Sequence, residues 1–178
     1  MLKKLNMVIG AFFSEVGTPL LTYFSLFDAN TEKISKHLIV DKDWSAAQFN
    51  KIRALLQTRD YQINVKDNNL AQLQKFIVDK RAFLLRLLEN PNLLEHQCFT
   101  ELLWAVFHLA EELSHRKNVT NLPDRDYEHL GGDIKRAYQL LIREWLAHME
   151  HLKNDYPYLF SLAMRTNPFD PEASVQLK

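Results

Sequence analysis

The chain is poor in the residues that build disulfides and in those that form dense turns. Its 178 residues include one cysteine, four glycines and six prolines. A single cysteine, Cys98, excludes an intrachain disulfide framework and a cage of thiolates around a metal ion. So few glycines and prolines leave little room for the turns of an all-β domain. These absences indicate a helical protein, and a reducing cytoplasmic location is the default expectation.

An excess of charge of either sign is also missing. Lysine and arginine together number 22, as do aspartate and glutamate, so the formal net charge is zero. Proteins that bind nucleic acid collect phosphates with an excess of positive charge. We therefore expect no nucleic acid among the partners of this chain. Its length suits one domain whose apolar core needs no cross-link.

The apolar residues that are present recur at the three- and four-residue steps of helices. Ser45-Ala-Ala-Gln48 is a capping box, which predicts a helix from Ala46 to about Thr58. The polar stretch 59–69 is predicted to be a loop. Further helices are predicted over 69–89, from Asn92 to about Arg116, from Asp124 beyond Leu152, and from Pro157 to Arg165. The fold class is therefore all-α, an antiparallel four-helix-bundle-like domain with an added apolar N-terminal helical segment.

Three parts are expected along the chain: an apolar N-terminal segment over 1–27, a helical bundle domain over 28–166 and an irregular tail over 167–178. Within the long predicted helix stands Gly131-Gly132. Two interior glycines cost roughly 2 kcal/mol relative to alanines. We expect either a bend at that point or the close approach of a neighbouring backbone.

The N-terminal segment admits two interpretations. Behind two lysines, residues 7–27 contain one charge, Glu15, and their length suits a membrane span of about 20 residues with the lysines on the cytoplasmic side. Against a span, a carboxylate near the middle costs about 2.5–3.5 kcal/mol. Gly17 and Pro19 favour two short buried helices instead. The segment is expected either to dock on the core or to associate with a membrane.

The leading functional hypothesis is a non-enzymatic helical interaction or regulatory module. It would bind a protein partner or a second copy of itself, in the cytoplasm, with attachment to the inner face of the membrane as an open alternative. Six large apolar side chains would make the membrane or partner contact: Phe12, Phe13, Leu20, Leu21, Phe24 and Phe27.

A metal-binding hypothesis comes from Glu112-Leu-Ser-His115, which has the Glu-x-x-His spacing of bundles that hold two iron or manganese ions. Such bundles need a second pair, but the long helix offers only Glu144 and His148, four residues apart. The alternative to the interaction module is therefore a helical-bundle enzyme with a simpler iron, manganese or zinc site, and otherwise no cofactor is expected. Its candidate ligands are His108, Glu112, His115, Glu144 and His148. The first three flank an apolar stripe that an ordinary amphipathic helix would also have, whereas His148 lies on the apolar stripe of the long helix.

Three stretches carry a resemblance to a known group of proteins: ENPNLLEHQCFTELLWAVFHLAEELSHR, HLGGDIKRAYQLL and NDYPYLFSLAMRTNPFDP. Together they resemble, over residues 89–171, a group of prokaryotic conserved helical proteins of unknown function. The resemblance implies a helical cytoplasmic region behind an apolar N-terminal segment, and we expect a bacterial source. It implies no activity and no catalytic residues.

Overall fold

The computed structural model describes residues 2–65 and 69–177, and regular secondary structure in these ranges is helical apart from one isolated antiparallel bridge between Asp28 and Ile63. The helices are α1 (Leu2–Phe12), α2 (Thr18–Ser25), α3 (Thr31–Ser35), α4 (Ala46–Thr58), α5 (Asn69–Asp79), α6 (Arg81–Leu88), α7 (Gln97–Ser114), α8 (Asp124–Asp155) and α9 (Pro157–Arg165). A π-helical turn, Phe13–Gly17, joins α1 to α2, and a 3-10 turn, Pro91–Glu95, precedes α7. The prediction of an all-α fold is confirmed.

The capping box of α4 forms as predicted. The Ser45 side chain accepts a hydrogen bond from the Gln48 backbone N–H at 3.2 Å, and the helix begins at Ala46 and ends at Thr58. The ring of Trp44, just before the cap, packs edge-on against Phe49 at 5.1 Å between centroids. The cap and this aromatic contact together fix where the chain enters the helix.

Two predicted helix boundaries were wrong. The single helix predicted over 69–89 is interrupted at Lys80, which separates α5 from α6. Asn92 does not cap the next helix, because Asn90 caps the 3-10 turn, and α7 begins only after His96. The Nδ1 atom of His96 accepts a hydrogen bond from the Phe99 N–H at 3.0 Å and so performs the role that an aspartate or asparagine usually has.

The N-terminal segment lies inside the core. The six residues predicted to contact a membrane or partner are at most 2% exposed and belong to the same core cluster as α4, α7 and α8. This corrects the predicted contact, because buried side chains offer no surface in this fold. By length and composition alone, Lys3–Ser25 is apolar enough to cross a membrane, but the core helices of other proteins also meet this criterion. In this fold, 44% of its most apolar 18-residue stretch is buried. The binding of a protein partner and the cytoplasmic or membrane location of the chain stay predictions.

Gly17 and Pro19 do not break the N-terminal helix into two pieces. The Thr18 N–H bonds to the Phe13 carbonyl, the five-residue step of a π-helix, and the chain continues directly into α2 with Pro19 in its first turn. A Cβ atom at Gly17 would lie 2.6 Å from Cδ1 of Phe13 and 2.9 Å from Cε1 of Phe12. Glycine is needed there because two phenylalanine rings cover its backbone.

Of the predicted loop 59–69, residues 66–68 lie outside the described residues, and the part over 59–65 has a partner that the sequence did not reveal. The Ala29 N–H donates to the Gln62 carbonyl and the Asn64 N–H to the Phe27 carbonyl, both at 2.9 Å. Beside this pairing, Arg59 forms an ion pair with the fully buried carboxylate of Asp28. The loop after α4 is thereby tied to the segment after α2.

α8 is the long central helix and packs against α2, α4, α7 and α9. A Cβ atom at Gly132 would meet no described atom within 4 Å, and one at Gly131 would meet only Cγ2 of Val65, at 3.9 Å. Of the two alternatives expected at these glycines, the close approach of a neighbouring backbone is therefore absent from the described part of the chain. The tail after α9 is irregular but packed, since the Asn167 side chain donates to the Leu38 carbonyl at 2.8 Å.

Candidate metal centre

Four side chains of α7 and α8 converge on one point. His108 and Glu112 come from α7, and His129 and Asp133 come from α8. One ligand atom from each of the four lies within 4.8 Å of all the others. Each helix supplies a histidine and, one turn later, a carboxylate on the same face. The two helices are antiparallel here, because the histidine of each lies opposite the carboxylate of the other.

The distances inside this cluster match those around a metal ion. Nε2 of His129 lies 3.1 Å from Oε1 of Glu112 and 3.4 Å from Oδ2 of Asp133. Nε2 of His108 lies 3.4 Å from the same Asp133 oxygen and 3.7 Å from the same Glu112 oxygen. Metal–ligand bonds of about 2.0–2.2 Å in a tetrahedral site separate neighbouring ligand atoms by roughly 3.3–3.6 Å. Four of the six ligand–ligand distances are therefore close to those of an occupied site.

An arginine holds the outer oxygen of each carboxylate. Nη1 of Arg116 donates to Oε2 of Glu112 at 2.7 Å, and Nη1 of Arg136 donates to Oδ1 of Asp133 at 2.8 Å. The other oxygen of each carboxylate faces the two histidines. Such outer partners fix the orientation of metal ligands in characterised sites.

The inner carboxylate oxygen of Asp133 is buried and has no hydrogen-bond donor among the described residues. The side chain is 5% exposed, and Oδ2 makes no hydrogen bond to any described residue. It lies 3.4 Å from both imidazole Nε2 atoms, but without hydrogen-bond geometry. A buried carboxylate oxygen without a partner is costly, and such atoms are rare in folded proteins. A cation at the centre of the cluster would satisfy it.

Glu112 is prepared to act as an anion. The hydrogen bond from Arg116, and after it the one with His129, lower the pKa of Glu112 to about 2. The carboxylate is therefore ionised at any pH near neutrality, and a metal ion would not have to displace a proton from it. His108 and His129 are half exposed, so an ion can enter from solvent.

The predicted ligand set needs correction, because the structure brings together only His108 and Glu112. His115 lies at the C-terminal end of α7, exposed, with Nδ1 2.7 Å from the Glu111 carbonyl oxygen. Glu144 lies near His96 instead, 4.0 Å from its Nε2, and burial raises the pKa of Glu144. His148 stacks on Phe13 with ring centroids 4.7 Å apart, and burial lowers its pKa to about 4.

His129 and Asp133, the two candidate ligands from α8, are absent from the set of ligands predicted from the sequence. A signal was present: His108 and Glu112 repeat in α8 as His129 and Asp133, with the same four-residue step. The Glu-x-x-His spacing instead pairs Glu112 with His115 within α7. Residues three apart also share a helix face, but Glu112 turns towards α8 and His115 towards the last carbonyls of α7.

Comparison with known proteins identifies the family but no function. The chain matches, over residues 1–165, the family model described as uncharacterized protein MJ1433, C-terminal helical domain. The uncharacterized protein MJ1433 of Methanocaldococcus jannaschii is 44% identical over 174 residues, which cover 98% of this chain and 70% of that protein. No solved structure matches.

These matches confirm the resemblance to uncharacterised conserved proteins and extend it from residues 89–171 to nearly the whole chain. They give no support to the enzymatic alternative. The relative is archaeal, so a bacterial source is not confirmed. The chain belongs to the family of the C-terminal helical domain of uncharacterized protein MJ1433.

Proposed function

We propose that this domain binds one divalent transition-metal ion between α7 and α8, through His108, Glu112, His129 and Asp133. The observation that supports the proposal is the set of four inner ligand atoms, with neighbours 3.1–3.7 Å apart around a buried, unpartnered Asp133 oxygen. Two imidazoles in the set favour zinc, iron or another transition metal over magnesium or calcium, which prefer oxygen ligands alone.

Zinc is the ion that this set of ligands fits best. Zn²⁺ takes four nitrogen, sulfur or oxygen ligands in a tetrahedron, and the short distances between neighbouring ligands suit that geometry. The charges of Glu112 and Asp133 balance a dication, while Arg116 and Arg136 stay paired with the outer oxygens. Iron and manganese, the other ions considered for this chain, are competitors that the binding experiment must include.

The role we propose for the ion is structural. Structural zinc sites use four protein ligands, whereas catalytic sites use three and keep a position for water. An ion held here would cross-link α7 and α8 close to the linker 115–123 that joins them. Because it would bind the folded chain alone, the ion would stabilise the fold by about 4 kcal/mol at a free concentration a thousand times its Kd. This role agrees with a non-enzymatic module.

The test is isothermal titration of the untagged, chelator-treated protein with Zn²⁺, Mn²⁺ and, without oxygen, Fe²⁺, combined with elemental analysis of protein purified without chelators. We expect one zinc ion per chain and a raised melting temperature. Asp133→Asn and His129→Ala should each weaken zinc binding at least about tenfold. His115→Ala, a histidine of the same helix pair outside the cluster, is the matched control and should bind as the natural protein does. Equal zinc binding by all four proteins, or none by the natural protein, would overturn the proposal.

A further inference from the structure

An apolar groove lies between α1 and the corner where α8 meets α9. It consists of two adjoining cavities of about 490 and 330 Å³, which share Gly10, His148, Leu152 and Leu159. We call this feature the α1 groove. Pockets that bind small molecules typically measure about 300–1,000 Å³.

The groove is open because α1 has a glycine where a side chain would fill it. A Cβ atom at Gly10 would meet no described atom within 4 Å, so no described neighbour requires a glycine at that position. A glycine inside a helix costs about 1 kcal/mol relative to alanine. The rim is apolar and exposed, with Met7 on α1 and Leu159 and Leu162 on α9.

Two imidazole nitrogens of residues that line the smaller cavity are buried and lack partners. Nδ1 of His148 and Nε2 of His151 make no hydrogen bond to any described residue, and both histidines line that cavity. Nδ1 of His151 lies 2.8 Å from Oδ2 of Asp155, which leaves only Nε2 for another group. Buried polar atoms are nearly always hydrogen-bonded, so this end of the groove has polar side chains whose hydrogen bonds the described protein does not complete.

The two cavities differ in charge. Lys3 also lines the smaller cavity, and neither an aspartate nor a glutamate is among its described lining residues. The larger cavity is lined by uncharged residues, most of them apolar, such as Phe13, Trp145 and Met149. A complementary ligand therefore has an anionic end and a long apolar body.

We propose that the α1 groove binds a free fatty carboxylate, with its hydrocarbon chain in the larger cavity and its carboxylate near His148 and Lys3. This site is independent of the metal centre and goes beyond the proposed function. Burial lowers the pKa of His148 to about 4, so its imidazole is neutral at physiological pH and can donate one N–H. The ammonium of Lys3 supplies the opposite charge at the exposed end of the groove.

The test is titration of the full-length protein with cis-parinaric acid, whose fluorescence rises in apolar surroundings, followed by displacement with palmitate. We expect one saturable site per chain. Gly10→Leu should abolish binding, because the new side chain would occupy the groove. Gly132→Leu is the matched control, since it also fills open space beside a helix but far from the groove, and it should bind as the natural protein does. Circular dichroism establishes that both variants are folded.

Two further measurements test the chemistry of the ligand. Lys3→Glu should weaken carboxylate binding about tenfold but leave binding of the matching long-chain alcohol unchanged. Flotation with vesicles of phosphatidylglycerol and phosphatidylcholine distinguishes a free fatty acid from a membrane surface. The proposal fails if Gly10→Leu binds normally, if alcohol and carboxylate bind equally well to the natural protein, or if only vesicles bind.

Discussion

At the scale of the residue, two glycines of this chain stand in opposite surroundings. Gly17 lies under the rings of Phe12 and Phe13, where no Cβ fits. Gly132 stands in a helix with open space around it among the described residues. A sequence pattern cannot separate the two cases, because each is a glycine within a helix and the difference lies in where the neighbouring side chains point.

This contrast predicts opposite effects of one substitution. Gly17→Ala should lower the free energy of unfolding by about 1–3 kcal/mol, because the methyl group forces the phenylalanine rings apart. Gly132→Ala should raise it by about 0.5–1 kcal/mol, because alanine favours the helix and meets no neighbour. Urea denaturation of both variants measures the two effects. A neutral or stabilising Gly17→Ala would contradict the packing described at the π-turn.

His148 predicts how stability depends on pH. Its pKa is about 4 in the folded chain, whereas the ordinary pKa of histidine is about 6.5, so between these pH values the unfolded chain binds more protons. The free energy of unfolding should therefore fall as pH is lowered from 6.5 towards 4, by at most about 1.4 kcal/mol per unit from this group. Neutral pH keeps the full stability.

The measurement is urea denaturation at several pH values for the natural protein and for His148→Leu, which removes the titrating ring but keeps an apolar side chain beside Phe13. The difference between the two curves isolates His148 from other groups that titrate in this range. Parallel curves would mean that the imidazole is not buried in its neutral form.

At the scale of the element, local signals predicted helices well and their contacts poorly. The capping box marked the first residue of α4, and Pro157 marked the start of α9, since both signals act within one turn of helix. The end of α5 at Asp79 has no such signal. Histidine rarely caps a helix, so the sequence favours Asn92 over His96 as the cap of α7. The metal cluster needs the register between α7 and α8, which the packing of the whole hairpin sets and no single helix encodes.

The cap of α7 makes a prediction at this scale. His96→Ala removes the acceptor of the Phe99 N–H and should cost about 1 kcal/mol of stability, within the range of about 0.5–2 kcal/mol for lost caps. His96→Asn should restore most of the loss, because asparagine caps helices well. Thermal unfolding compares the three proteins.

The asparagine variant also separates two roles of this histidine. His96 lies 4.0 Å from Glu144, and an ion pair with that carboxylate is a second way in which it could stabilise the fold. If asparagine and alanine were equally destabilising, the pair with Glu144, and not the cap, would carry the contribution.

At the scale of the whole molecule, one hydrophobic core unites the N-terminal segment, the bundle and the tail. Phe12 packs edge-on against Phe99 of α7 at 5.3 Å between ring centroids, and Phe169 packs against Trp145 of α8 at 5.1 Å. A helix that is apolar around most of its circumference suits either a membrane or the centre of a protein. Which of these surroundings it has depends on what packs against it, and in this fold α7 and α8 pack against the N-terminal segment.

Because the N-terminal segment is part of the core, substitutions at a buried and at an exposed position of this segment should affect stability differently. Leu20 is fully buried, so Leu20→Ala should cost about 2–5 kcal/mol through lost burial and the cavity left behind. Met7 is 70% exposed, and Met7→Ala should change stability by less than about 0.5 kcal/mol. Urea denaturation measures both.

Deletion of residues 1–27 extends the same test to the whole segment, and cooperative unfolding should be lost because much of the core is removed. The membrane interpretation makes the opposite prediction. A segment embedded in lipid would leave the bundle intact when deleted, and Leu20→Ala would then alter binding to vesicles but not the unfolding of the protein in water. If the truncated chain unfolds cooperatively with the stability of the full protein, the segment is not part of the core. Its six large apolar side chains, Phe12, Phe13, Leu20, Leu21, Phe24 and Phe27, would then be available to contact a membrane.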